Sequence, residues 1–368
     1  MSWLKIDKTF LFLSIILVVF GFVVFLSSSM SLATRDNINL YKVIGGQLVL
    51  GILAGSFLAI IVAGLKNLDW MRKYAWWIFG FALLATAAVF SPIGFGYNGA
   101  HRWLNFGFVN FQPIELLKLG TLIILAKLFA DYNEFLTQKW FGLAWLAAIL
   151  APITILLFLQ PDMDGLASIY LITFALYFLA GAPWKRIGLI FLAGAVGFCL
   201  LAFYKPYIMD RLTSFMHPEK DPLGIGYQLN QSLIAIGSGQ LTGKGIGQSI
   251  QKFKNLPESI SDSIFPIAAE ELGLIGSTLI IVLFLLLAFR GFFIAGKTGD
   301  MFSGLLVSGI VIMIMFQSFI NIGSMTGVMP LSGLPLIFFS KGGSSLLFSI
   351  LSLGIILNIS KNIKHKKI

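Results

Sequence analysis

The sequence predicts an all-α polytopic membrane protein: about ten transmembrane helices with one long extracellular loop. Three observations carry this. First, 57% of the 368 residues are hydrophobic and only 11% are charged, against roughly 25% charged in soluble domains. Second, the apolar residues fall into runs near the ~20 residues that cross a bilayer. Third, the basic residues are unevenly placed. With the N-terminus inside, the cytoplasmic segments hold Lys5, Lys8, Lys66, Arg72, Lys73, Lys139, Lys185, Arg186, Arg290 and Lys297, and the basic tail Lys361 to Lys367, whereas the short outer loops hold Arg35, Lys42, Arg102 and Lys341. That asymmetry fixes both termini on the cytoplasmic side.

The spans run in order. The first, 9–28, follows Lys5 and Lys8. It is long for a signal-peptide core, so a retained helix is expected. The others are 45–64, 75–92, 114–130, 142–159, 165–182, 187–204, 264–289, 302–322 and 343–360. Together, 1–368 reads as one integral-membrane domain, with 205–263 its large extracellular loop. Gly51 and Gly55 form a G-x-x-x-G suited to close helix packing. Trp70, Trp76, Trp77, Trp103, Trp140 and Trp184 lie near span boundaries, as an interfacial belt does.

Several functions are disfavoured. The net charge is +10, but the basic residues are scattered and carry no nucleic-acid motif. The single cysteine, Cys199, allows no intramolecular disulfide. Histidines at 101, 217 and 365 are too dispersed for a His/Cys zinc site. The glycines of 237–247 do not have phosphate-loop spacing.

Candidate chemistry gathers at the outer side. Pro113 suits a first helical turn. Glu115 and Lys118 then share one face and can pair. Either the pair only positions its helix, or Lys118 and Arg102 meet phosphate oxygens while Glu115 orients the lysine. In Gln160-Pro-Asp-Met-Asp-Gly165, a divalent cation or substrate role is weighed for Asp162, and a helix cap for Asp164. Arg211 stands in the long loop, where Gln228 and Gln231 suit sugar hydroxyls. The stretch Asn255 to Gly276 closes that loop with Glu258, Asp262, Glu270 and Glu271. Carboxylates at the edge of hydrocarbon are costly and usually functional. Asp262 reads equally as the N-cap of the next helix or as a catalytic base. Gly and Pro interrupt 321–336, so that backbone must line protein or a cavity. Ser344 and Ser345 precede the last span.

Taken together, Gly99-Ala-His-Arg-Trp103, Phe111-Gln-Pro-Ile-Glu-Leu-Leu-Lys118, Gln160-Pro-Asp162, Asp221-Pro-Leu-Gly-Ile-Gly-Tyr-Gln228, Leu256-Pro-Glu258, Asp262-Ser-Ile-Phe265, Glu270-Glu-Leu-Gly273 and Gly342-Gly-Ser-Ser345 resemble the SEDS family (shape, elongation, division and sporulation), the FtsW and RodA proteins. The resemblance covers nearly the whole chain. The segment Gln248-Ser-Ile-Gln-Lys252 is closer to FtsW than to RodA. The chain departs from the family's usual residues at Ile114 (for Ser), Ser261 (for Thr) and Lys341 (for Tyr), and Met163-Asp164 interrupts a common Pro-Asp-Leu/Phe-Gly pattern.

The resemblance implies a peptidoglycan glycosyltransferase in the bacterial inner membrane. It would polymerise lipid II with inversion and release undecaprenyl pyrophosphate. Asp262 would be the base, and Arg102, Glu115, Lys118, Asp162, Arg211, Gln228, Gln231, Glu258 and Ser344 would surround the substrate. A divalent cation, Mg or Mn, is expected near Asp162, and no organic cofactor. The implied partners are a class B penicillin-binding protein and other divisome or elongasome membrane proteins. A flippase for lipid-linked precursors is the rival reading: it would use the same basic cavity without a base.

Overall fold

The computed structural model describes residues 5–33, 37–97, 100–107, 110–192, 194, 206–217, 224–254, 256–361 and 363. Cys199, the turn at Asp221, most of the seventh predicted span and most of the basic tail lie outside them.

Helix α1 (Lys8–Ala33) is followed by α2 (Asn37–Gly46), a π-helical stretch (Gln47–Ala54) and α3 (Gly55–Gly64), which together form the second span. Next come α4 (Asp69–Lys73) and α5 (Ala75–Ala87). A small antiparallel sheet, β1 (Gly94–Tyr97), β2 (Ala100–Asn105) and β3 (Asn110–Phe111), leads into α6 (Pro113–Asp131). Then follow α7 (Asn133–Gln138), α8 (Trp140–Leu159), α9 (Met163–Leu179) and α10, whose described part runs 184–192. The segment read as one long loop carries α11 (Pro206–Met216), α12 (Ile225–Ser238) and α13 (Gln251–Lys254). The chain closes with α14 (Ile264–Lys297), α15 (Met301–Met325) and α16 (Gly343–Ser360).

Helix α6 is the axis of the bundle. Leu117, Leu122, Ile124, Leu125, Ala126 and Phe129 on it are fully buried, while α5, α9 and α15 pack around it. Lipid tails are as apolar as leucine, so small residues and close approach set such packing. The second span shows this. A Cβ at Gly51 would lie 2.7 Å from Leu346 Cδ2, and one at Gly55 3.1 Å from Leu347 Cα, so the G-x-x-x-G face is the contact with α16.

Polar contacts mark the two ends of the bundle. At one end, Asp7 caps α1 through Phe10 N (2.8 Å) and pairs with Arg290 of α14 at 2.6 Å, and Arg72 meets Asp131 at 2.5 Å. At the other end, the C-termini of α1 and α15 meet the N-termini of α6, α9, α14 and α16. There Ser28 Oγ donates to the Ser259 carbonyl (2.7 Å), and Gln112 N donates to Ser344 Oγ (3.1 Å).

Helix α14 is broken near that end. Gly273 takes φ 68°, a conformation that residues other than glycine rarely adopt. The freed backbone groups are met by the glycine-rich 240–245 segment. Lys244 N and Gly245 N donate to the Glu270 and Glu271 carbonyls (3.0 and 2.9 Å), and Leu274 N donates to the Gln240 carbonyl (2.9 Å). The glycine-rich segment is therefore the backbone plug of a split helix.

Candidate active site

A tight turn presents Asp262. Glu258, at φ 47°, turns the chain, and its carbonyl accepts from Ser261 N and Ser263 N, both at 3.1 Å. The Glu258 carboxylate accepts from Ser261 Oγ at 2.6 Å. Ser261 thus fills the place of the usual threonine with a hydroxyl that closes the turn. The N-cap of α14 is Ser263, without a side-chain cap, so Asp262 is not the helix cap that the sequence left open.

Asp164 and Arg211 converge on Asp262 across Gly333. Arg211 Nη1 lies 3.2 Å from Asp164 Oδ1, and Gly333 N donates to Asp164 Oδ2 at 3.3 Å. A Cβ at Gly333 would sit 2.9 Å from Asp164 Oδ2 and 3.8 Å from both Arg211 Nη2 and Asp262 Oδ2. Burial raises the Asp262 carboxyl to about 7, reinforced by the like charges of Glu258 and Asp164 and opposed by Arg211 and Arg102. A carboxylate poised near neutral pH is suited to take a proton. Gly333→Ala should displace Asp164 and Arg211 while the helices stay folded. We expect the reaction at Asp262 to slow about tenfold or more, since small misplacements at a reacting centre are costly; an unchanged rate with intact α-helical circular dichroism contradicts this.

The cap of α9 falls on the other aspartate of the pair. Asp162, not Asp164, caps α9, accepting from Gly165 N at 3.1 Å. Asp164 is the one that reaches toward Asp262. The reason is local: Ile114 packs on Gly165, where a Cβ would lie 2.7 Å from Ile114 Cδ1, and this seats the cap turn against α6. Asp162 also faces Arg102, Nη1 to Oδ1 3.6 Å, and Arg102 donates to the Pro161 carbonyl as well. Burial pushes the Asp162 carboxyl up, against the pull of Arg102. The donor set does not fit a metal there. One oxygen is held by a backbone N–H and a guanidinium, and among the described residues no cluster of three or more His, Cys, Asp or Glu could hold an ion.

The expected pair on α6 is present. Lys118 Nζ lies 2.8 Å from Glu115 Oε2, with both side chains buried. Its helix starts at Pro113, one turn before the lysine. Gln228 and Ser344 have hydrogen-bond partners within the protein. Gln228 Nε2 donates to Ser263 Oγ (2.9 Å), beside Asp262. Gln231 is partly exposed on the same helix. Ser344 is buried and its hydroxyl accepts from Gln112 N, so it joins α16 to α6. Arg102, Lys118 and Arg211 therefore bring positive charge to the end of the bundle where Asp162, Asp164 and Asp262 lie.

A family model described as cell cycle protein, FtsW, RodA and SpoVE, matches residues 7–365. The chain belongs to this family. It is 34% identical to a probable peptidoglycan glycosyltransferase FtsW of Escherichia coli, over 100% of this chain and 88% of that protein. It is 37% identical to stage V sporulation protein E of Bacillus subtilis, over 81% of this chain and 82% of that one. Among solved structures, a chain from a peptidoglycan synthase complex, studied for how polymerization and crosslinking are coordinated, superposes with TM-score 0.79 at 31% identity, covering 99% of this chain and 100% of its own. The rod shape determining protein RodA of Thermus thermophilus gives 0.72 at 29% identity, with 99% of each chain covered. The FtsW-like membership and the multi-pass helical fold expected from the motifs thus hold.

Proposed function

We propose that this FtsW-like chain is an inverting peptidoglycan glycosyltransferase that polymerises lipid II, with Asp262 as general base. The observation that carries the chemistry is the Asp262 carboxyl, uncapped, raised to about 7 and set between Asp164, Arg211 and Gly333. A sugar 4-hydroxyl attacks the anomeric carbon of a second lipid-linked sugar. Its proton passes to Asp262 as the new β-1,4 bond forms, and the anomeric bond to undecaprenyl pyrophosphate breaks. Arg102 and Lys118 meet the charge that develops on the leaving pyrophosphate, which therefore needs no side-chain acid. The donor carries its own leaving group, so no organic cofactor is required.

The similarity to a chain of a synthase complex that coordinates polymerization and crosslinking supports a partner that crosslinks what this chain polymerises. We take it to be a class B penicillin-binding protein, in the inner membrane of a dividing bacterium, with the active end of the bundle facing outward and both termini cytoplasmic. The test is polymerisation of purified lipid II by the protein reconstituted into liposomes, with and without that partner. Glycan strands are the expected product; lipid transport without strands would favour the flippase.

The buried pair on α6 gives a sharper test. Lys118→Met alone leaves Glu115 uncompensated, at a cost of about 3–5 kcal/mol. Glu115→Gln with Lys118→Met removes both charges and should fold normally, yet polymerise about 10²-fold more slowly, having lost a phosphate clamp. Normal specific activity in the double variant would make the pair purely structural.

A further inference from the structure

We propose that Asn321, in the last turns of α15, is a positioning residue for the reaction: its side-chain amide sets the backbone of Asp262 against the segment between α15 and α16 that carries Gly333. This rests on the assignment of Asp262 as the base. Asn321 is fully buried. Its Nδ2 donates to the Asp262 carbonyl and to the Leu334 carbonyl, each at 2.8 Å. The two acceptors belong to segments far apart in sequence. One is the turn that presents the base; the other is the neighbour of Gly333, whose N–H holds Asp164. A single amide therefore ties the base to the group facing it. The orientation is settled by the partners. Two carbonyls require a donor, so rotating the amide would set Oδ1 against two oxygens, and Oδ1 is left buried without a partner.

A second staple works on the same two segments. Ser340 Oγ donates to the Ser261 carbonyl at 2.6 Å and accepts from Leu336 N at 2.9 Å, while Lys341 N donates to the Ile260 carbonyl at 2.8 Å. From the second span, Gln47 fixes the end of this segment: Nε2 donates to the Ser340 carbonyl (3.0 Å) and Oε1 accepts from Gly342 N (2.9 Å). Gln47 begins the π-helical stretch, a distortion frequent at functional sites. The charged groups that act on Asp262 are Glu258 in its own turn, Asp164 at the start of α9, Arg211 on α11 and Arg102 on β2. Their distances to the carboxylate depend on where the Asp262 backbone sits. Asn321 should therefore be felt in how the base titrates as well as in rate.

The test compares Asn321→Leu, Ser340→Ala and Asp262→Asn with the wild-type protein in its partner complex, reading kcat, KM and the pH dependence of kcat for lipid II polymerisation. Ser324→Ala is the control. Its hydroxyl makes a buried bond to the Asn321 carbonyl, so it removes a donor from the same helix without touching either segment. Asn321→Leu should lower kcat about tenfold or more, since misplacement of a reacting group by 1 Å can cost 10²-fold. KM should stay within about twofold of wild type, as expected when transition-state rather than uniform binding is lost. The acidic limb of the profile should move, and Ser340→Ala should move it the same way by less. If Asn321→Leu does not fold, Ser340→Ala decides. Slower turnover in proportion to folded protein, with the limb unmoved, overturns the proposal. An active Asp262→Asn overturns instead the base assignment on which it rests.

Discussion

Asp262→Asn should reduce lipid II polymerisation by about 10²–10⁴-fold, the usual worth of a positioned general base, while the protein remains folded and partner-bound. The amide has nearly the carboxylate's shape but cannot take the sugar proton. The variant should also be more stable than wild type at pH 8. The sign follows from linkage. Asp262 titrates at about 7 in the folded protein, above the ordinary carboxylate value, so between those two values the folded state binds more protons than the unfolded one. Stability must then fall as pH rises through that window, and the neutral amide escapes the loss. Thermal midpoints of the two proteins should diverge as pH is raised. A dead variant that is also less stable at pH 8 would point to misfolding rather than to a lost base.

Lys252→Met should destabilise the fold by about 3–5 kcal/mol, because it leaves a buried carboxylate unpaired. Lys252 is fully buried and lies 2.7 Å from Glu271 on α14. Glu271 also accepts from Ser27 Oγ of α1, at 2.7 and 2.6 Å to its two oxygens, and Lys252 Nζ donates to Ser27 Oγ and to the Gly247 carbonyl. Beside it, Glu270 accepts from Lys244 Nζ at 2.6 Å and from Ser249 Oγ at 2.5 Å. Two adjacent glutamates thus fasten the 244–252 segment onto the broken part of α14. Adding Glu271→Gln to Lys252→Met should recover much of the loss. Guanidinium-free thermal unfolding in detergent reads both. Equal midpoints for Lys252→Met and wild type would mean that the site admits water and the pair is dispensable.

The membrane fold was legible because hydrocarbon imposes a length and a composition on each span. The Glu115–Lys118 pair was legible because helical spacing alone puts those side chains together. Asp164 was misread because a cap depends on which residue is the last before the helix, and the helix begins at Met163 rather than one or two residues later. Asn321, Gly333 and Gln47 carry no local signal for their roles. Their partners lie in other segments, 59 residues away for Asn321 and Asp262, and only the tertiary fold reveals them. Glu270 and Glu271 were noticed for their cost, but their partners Lys244, Ser249 and Lys252 stand in a glycine-rich stretch that looked like a surface loop. The interruptions of 321–336 did give a usable sign, since irregular backbone beside hydrocarbon has to face protein or a cavity.

The central claim, that Asp262 is the proton acceptor, is tested most directly by the pH dependence of kcat for lipid II polymerisation by the purified wild-type complex. The base works ionised, so the rate should climb with pH and level off above about 7, falling about tenfold per unit on the acid side. A rate independent of pH from 5 to 8, or a midpoint near the ordinary carboxylate value of about 4, would contradict the assignment.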